Sequence, residues 1–175
     1  MPIKQILAQR IGIKEILEIN ALVENSATLK NELYGLLFDS DDFIAYQAAW
    51  VMTHFSTQEN RWLFDKQNEL IDEVLVCRHA GKRRLLLNLL YKQPVADPFR
   101  SDFLDFCMER MISREELPGV QALCMKLAYE LCRTIPELLR EFQLMLEIMD
   151  PDMLEISRRT VRKNLLKAIR KEKKS

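Results

Sequence analysis

Asp42-Phe43-Ile44-Ala45-Tyr46-Gln47-Ala48-Ala49-Trp50-Val51-Met52-Thr53-His54-Phe55 decides the fold, because this block returns along the chain. Gly119-Val120-Gln121-Ala122-Leu123-Cys124-Met125-Lys126-Leu127-Ala128-Tyr129-Glu130-Leu131 echoes it, and residues 154–166 echo it more loosely. A degenerate copy at residues 81–92 fills the gap. Aligning Ile44, Val120 and Ile156 gives a period in the thirties, roughly two repeat lengths and then one. Apolar helices repeating at that distance predict a stacked helical array, in which each unit is stable only because its neighbours cover it.

The residue types agree. Of 175 residues 48% are hydrophobic and 30% charged, with four glycines, which excludes a disordered or low-complexity chain. Such a length can bury about 70% of the surface its unfolded form exposes, so neither metal nor disulfide is needed to hold it. Leu and Met, which lose little rotamer freedom in a helix, dominate the apolar set, and β-branched alternation is absent. The first ten residues lack the apolar run of a signal peptide, and no stretch reaches the length of a membrane span. The expected location is therefore the cytoplasm, with Cys77, Cys107, Cys124 and Cys132 as buried reduced thiols.

Prolines and acidic caps punctuate the helices. Asp97-Pro98, Leu117-Pro118, Ile135-Pro136, Asp150-Pro151 and Ser40-Asp41-Asp42 each predict an N-terminus, since proline costs nothing in a first turn and Ser or Asp caps it. Helices are expected over 12–24, 27–38, 42–55, 60–77, 82–92, 98–112, 117–132, 136–149 and 153–171, with a short turn over 3–10. Ile44, Ala48, Val51, Met52 and Phe55 form one apolar stripe, and Val120, Cys124, Leu127, Ala128 and Leu131 form another.

These stripes resemble HEAT repeats, the helical pairs of the armadillo-like superhelix. Ile44, the small pair Ala48-Ala49, Met52 and Phe55 match the pattern of the family's first helix. Pro136-Glu137-Leu138-Leu139-Arg140-Glu141-Phe142 is similar to its second, and Asn60-Arg61-Trp62-Leu63-Phe64 occupies the equivalent slot earlier. The resemblance implies an all-α fold: an α-α superhelix of about four HEAT-like pairs in one domain over 1–175. Residues 1–26 are a helical lead-in, and 153–175 a basic capping helix and tail. The copy at 81–92 departs from the pattern, carrying Leu85, Leu86 and Leu87 where the small pair is expected.

Charge is balanced overall and lopsided along the chain. Residues 158–175 hold nine basic side chains and one acid, leaving the rest acidic by eight. As a terminal repeat this helix needs a polar outer face; alternatively Arg158, Arg159, Arg162, Lys163, Arg170 and Lys171 meet nucleic acid or an acidic partner. The resemblance places second helices on the concave side, and here those helices carry more acids than bases. Trp62, Asp65, Glu69, Asp102 and Asp105 are the expected partner-binding residues, suited to a basic peptide or protein.

Catalytic motifs are missing: the sequence has no phosphate loop, no HExxH and no nucleophile with a His relay. His54 and His79 suit helix ends and loops, and Cys77 with His79 lacks a second pair of zinc ligands, so no metal or cofactor is expected. The chain is read as a non-catalytic protein-interaction scaffold. One enzymatic alternative stands beside it, a HEAT-like glycosylase for alkylated DNA bases using Trp50, Trp62, Tyr46 and Asp65.

Overall fold

The computed structural model describes residues 2–174, and among them every regular element is a helix or a helical turn. The fold is an all-α helical repeat. It divides into two compact units, one running to Pro94 and one from Val95 onward.

The first unit contains α1 (Ile3–Leu7), α2 (Ile13–Glu24), α3 (Ala27–Gly35), α4 (Asp42–Met52), α5 (Thr57–Trp62), α6 (Gln67–Val76) and α7 (Ala80–Tyr91). The side chain of Ser26 caps α3, Asp41 caps α4, Ser56 caps α5 and His79 caps α7, each accepting a backbone N–H of the first turn at 2.9–3.2 Å. At α2 the cap is one-sided. Gly12 has no side chain to offer, and the Glu15 carboxylate accepts the Gly12 N–H at 2.8 Å.

The block that opens the sequence is the hub of this unit. α4 packs against α1, α2, α7 and the 3₁₀ turn Leu36–Phe38. Ala45, Ala48, Ala49, Val51 and Met52 on it are fully buried. Gln47, only 2% exposed, ties the chain before it in place. Its amide N–H₂ donates to the carbonyls of Leu7 (2.8 Å) and Gln9 (2.6 Å), and its carbonyl accepts the Ile11 N–H at 3.3 Å. One buried side chain thus satisfies three backbone groups stranded between α1 and α2.

The second unit contains α8 (Ser101–Arg110), α9 (Pro118–Cys132), α10 (Pro136–Ile148) and α11 (Ile156–Lys174). Pro118 and Pro136 open their helices as expected. α9 packs against α8, α10 and α11 and is buried around nearly its whole circumference. Gln121 on α9 repeats the Gln47 device, donating to the Ser113 carbonyl at 2.5 Å from a position 4% exposed.

Three helix starts differ from expectation by three residues, and the helix expected over 42–55 ends at Met52. The helix over 60–77 begins earlier, at Thr57, because Ser56 caps it, and it is interrupted by a 3₁₀ turn, Leu63–Lys66. α8 starts at Ser101 rather than at Pro98; there Asp102 accepts the Phe103 N–H at 2.9 Å and holds the Arg100 guanidinium. After Asp150-Pro151 the chain makes only the single 3₁₀ turn Pro151–Met153, closed by Asp150 accepting the Asp152 N–H at 3.0 Å. Leu154 is then extended and buried, and α11 begins at Ile156.

That delay corrects the repeat register. Ile156 is 79% exposed, so it is no counterpart of Ile44 and Val120. The buried positions align when Ile44, Lys82, Val120 and Arg158 are matched, a constant spacing of 38 residues. The next core positions follow the same spacing: Val51, Leu89, Leu127 and Leu165, then Met52, Leu90, Ala128 and Leu166, all buried. α4, α7, α9 and α11 are therefore the same element of successive repeats.

Two of the four copies carry a cation at the first core position, and each cation has a partner. The Lys82 ammonium lies 2.8 Å from Glu73 of α6, and the Arg158 guanidinium donates to the Met111 carbonyl at the end of α8 at 3.0 Å. Removing Glu73 strands a nearly covered ammonium, whereas replacing Lys82 leaves a carboxylate that is partly exposed already. Glu73→Ala should cost about 2–3 kcal/mol in urea unfolding and Lys82→Met less than about 1 kcal/mol, since Glu73 can then turn to water. Equal losses in both variants would contradict this assignment.

Candidate functional site

Trp62, Asp65 and Glu69 fall on the irregular stretch where α5 passes through the 3₁₀ turn into α6. Trp62 is half-buried; Asp65 and Glu69 are exposed. Trp62 meets Tyr34 of α3 edge to face, with ring centres 5.9 Å apart and planes at 86°. Tyr34 in turn packs edge to face on Phe38 at 5.4 Å and donates its hydroxyl to Glu69 at 3.2 Å. Burial and the adjacent Glu69 carboxylate raise the Tyr34 phenol above its ordinary range.

Two ammonium groups sit on these rings. Lys66 lies 4.6 Å from the Trp62 ring centre and 4.9 Å from that of Tyr34. Lys30 lies 5.4 Å from Trp62 and is also paired with Glu59 at 2.5 Å, both side chains nearly covered. The cluster is thus three aromatic rings, two cations and two carboxylates. Trp62 and Glu69 of this cluster are among the residues expected from the sequence, and Asp65 follows in the 3₁₀ turn; Tyr34, Phe38, Lys30, Glu59 and Lys66 are not among them. The four-residue spacings Tyr34/Phe38 and Trp62/Lys66 were the available signal.

Asp102 and Asp105 lie in the second unit, both exposed on α8. Arg100 binds Asp102 through two hydrogen bonds, of 2.9 and 2.8 Å, and holds that carboxyl below the usual carboxylate range. Asp105 follows one turn later along the same helix.

The basic residues of α11 fall into two sets. Arg158 is buried on the Met111 carbonyl; Arg159 donates to the carbonyls of Pro151 (3.0 Å) and Leu154 (3.1 Å); Arg162 donates to the Leu146 carbonyl at 2.7 Å. These three donate to carbonyls at helix ends and turns; the Pro151 and Leu146 carbonyls also accept the backbone N–H of Leu154 and Met149, while Arg159 itself stays exposed. Lys163, Arg170 and Lys171 are exposed, together with Lys167 and Lys174. Lys163, Lys167, Lys171 and Lys174 recur at steps of four, four and three and so share one helix face.

A groove of about 580 Å³ in the same unit is lined by Arg133, Thr134, Pro136, Leu139, Arg140, Glu172 and Lys173. Its charges are largely engaged within the fold. Glu172 accepts the Tyr129 hydroxyl at 2.7 Å and pairs with Arg133 at 3.2 Å, and Lys173 reaches the Gln143 side-chain carbonyl.

Of the residues of the glycosylase alternative, Tyr46 and Trp50 lie on α4, and Trp62 and Asp65 on the stretch from α5 into the 3₁₀ turn. Tyr46 lies against the His79 ring at 5.5 Å, and the backbone carbonyl of Trp50 contacts His54 Nδ1 at 3.1 Å. Burial raises the Cys77 and Cys107 thiols and pushes Cys132 up to about 11, so these sulfurs stay protonated and weakly nucleophilic at neutral pH. Among the described residues no three His, Cys, Asp or Glu side chains are placed to hold a metal ion, and no helix is long and apolar enough to cross a membrane.

Burial and the Glu172 acceptor push the Tyr129 phenol up to about 12. The folded protein therefore holds this proton where the unfolded chain releases it, near pH 10. Stability from the Tyr129–Glu172 contact is present below pH 10 and is lost as pH rises from there toward 12. Tyr129→Phe should flatten that part of the stability profile measured by urea unfolding; an unchanged alkaline slope would show that the contact contributes nothing.

A protein-family model described as a HEAT repeat domain matches residues 3–169. None of the curated proteins and none of the solved structures compared with the chain matches it.

Proposed function

We propose that this chain, which belongs to the HEAT repeat domain family, is a non-catalytic scaffold that binds a basic segment of a partner protein through the surface around Trp62, Asp65 and Glu69. HEAT repeats commonly mediate protein–protein interaction, and the family is generally non-enzymatic. The observation that carries the reading is a contrast in how charge is used. Arg158, Arg159 and Arg162 are bonded to backbone carbonyls, whereas Asp65 faces solvent and, among the described residues, the exposed Glu69 meets only the Tyr34 hydroxyl, at the edge of an aromatic cluster. Acids next to half-exposed aromatics suit a cationic peptide, since the charges steer it and the rings give it contact area. On the second unit Asp102 and Asp105 offer a further acidic strip, weakened by Arg100.

Charge reversal tests this directly. Asp65→Lys with Glu69→Lys should weaken capture of the basic partner from the native cell at least roughly tenfold, while circular dichroism stays unchanged. Retention of every co-purifying protein at its original level would defeat the proposal.

The exposed lysine face of α11 favours a second reading, in which Lys163, Lys167, Lys171 and Lys174 with Arg170 contact nucleic acid. It no longer draws on Arg158, Arg159 or Arg162. Retention on immobilised duplex DNA or RNA should then fall steeply with salt and vanish when Lys163, Lys167 and Lys171 become Glu. No retention at low salt would remove the reading.

A further inference from the structure

Lys66 and Lys30 both rest on Trp62, but they are held in different ways. Lys30 is fixed by its pair with Glu59, and both side chains are nearly covered, so it belongs to the packing. Lys66 is only half-buried, and among the described residues no carboxylate pairs with it. Two ring faces hold its ammonium. The 86° angle between Tyr34 and Trp62 makes those faces the walls of a corner, and the Tyr34–Glu69 hydrogen bond and the Phe38 contact fix the Tyr34 wall. A corner of this kind attracts a weakly hydrated cation through the ring quadrupoles.

We propose that the corner formed by Tyr34 and Trp62 is a recognition site for a lysine-type ammonium, free or methylated, on a partner protein, and that Lys66 is its internal occupant. The inference rests on the reading of Trp62, Asp65 and Glu69 as a surface for a basic segment, and it adds which atoms receive the cation. Release of Lys66 costs its ring contacts and no ion pair, and the freed side chain regains rotamer freedom. While Lys66 is seated the site is closed, so the apparent affinity of an incoming cation falls by the open fraction. Asp65 and Glu69 flank Lys66 in sequence, and their charge draws the partner's cation toward the corner. Methylation of the incoming amine lowers its hydration and favours the rings further.

Tetramethylammonium chloride is the probe, added to the full chain, because its methyl protons shift upfield when they lie over aromatic faces. Lys66→Ala should bind it roughly tenfold more tightly than the parent protein. Lys66→Arg, which refills the corner, should restore the parental affinity. Adding Trp62→Leu to Lys66→Ala should abolish the upfield shift; a gain that survives this change comes from lost positive charge alone and overturns the inference. If the Trp62→Leu protein fails to fold by circular dichroism, the Trp62 indole N–H resonance of Lys66→Ala serves instead, and its failure to move with tetramethylammonium overturns the inference equally. A synthetic polylysine peptide separates the two proposals. If Asp65→Lys with Glu69→Lys abolishes peptide binding while Lys66→Ala gives no tetramethylammonium response, the corner is wrong and the acidic surface stands. If the corner binds tetramethylammonium and peptide binding ignores the acids, the acidic-surface reading fails and the corner stands.

Discussion

A helix that is apolar around most of its circumference has no stable existence in water, and this constraint organises both units. α4 and α9 are such helices, with buried residues on nearly every side. Neither is long enough to persist alone. Each must be enclosed: α4 by α1, α2, α7 and the 36–38 turn, α9 by α8, α10 and α11. Ala45, Ala48 and Ala49 let neighbours approach α4 closely, and larger chains on α9 are accommodated by Ala122 and Ala128. Enclosure brings polar backbone inside with it, which explains why the two hubs carry a buried glutamine each, Gln47 and Gln121, bonded to carbonyls of the preceding segment.

The same constraint separates residues that hold the fold from residues free to meet a partner. A covering helix must end somewhere, and its last carbonyls need donors. Arg158, Arg159 and Arg162 donate to such carbonyls in the second unit, which engages half of the expected basic contact set with the backbone and buries Arg158. In the first unit the 3₁₀ turn Leu63–Lys66 interrupts the helical stretch from Thr57 to Val76, and Trp62 and Lys66 lie against Tyr34. The aromatic corner thus sits where that helical stretch is broken.

Much of the architecture is legible in the residues themselves. The blocks around Ile44 and Val120 align position for position because both are fully enclosed and both use aliphatic chains. The copies at α7 and α11 are hard to align for a physical reason: Lys82 and Arg158 occupy the first core position, and a hydrophobic pattern does not register a buried cation whose partner lies elsewhere in sequence. Asp150-Pro151 misleads likewise, because a capping aspartate closes one 3₁₀ turn as readily as it starts an α-helix. Of the candidate site, Trp62 and Asp65 stand out as residue types beside acids. Tyr34 and Lys66 do not, since they become partners only when α3 and the broken helix meet.

Native-state hydrogen exchange, resolved by residue, tests whether enclosure of α4 and α9 is what stabilises the protein. Amides of Ala48–Met52 and Cys124–Ala128 should exchange last within their own units, by way of unfolding of the whole unit, while those of α1 and α5 exchange through local opening. Exchange of the α4 or α9 amides as fast as those of α1 and α5 would contradict the account.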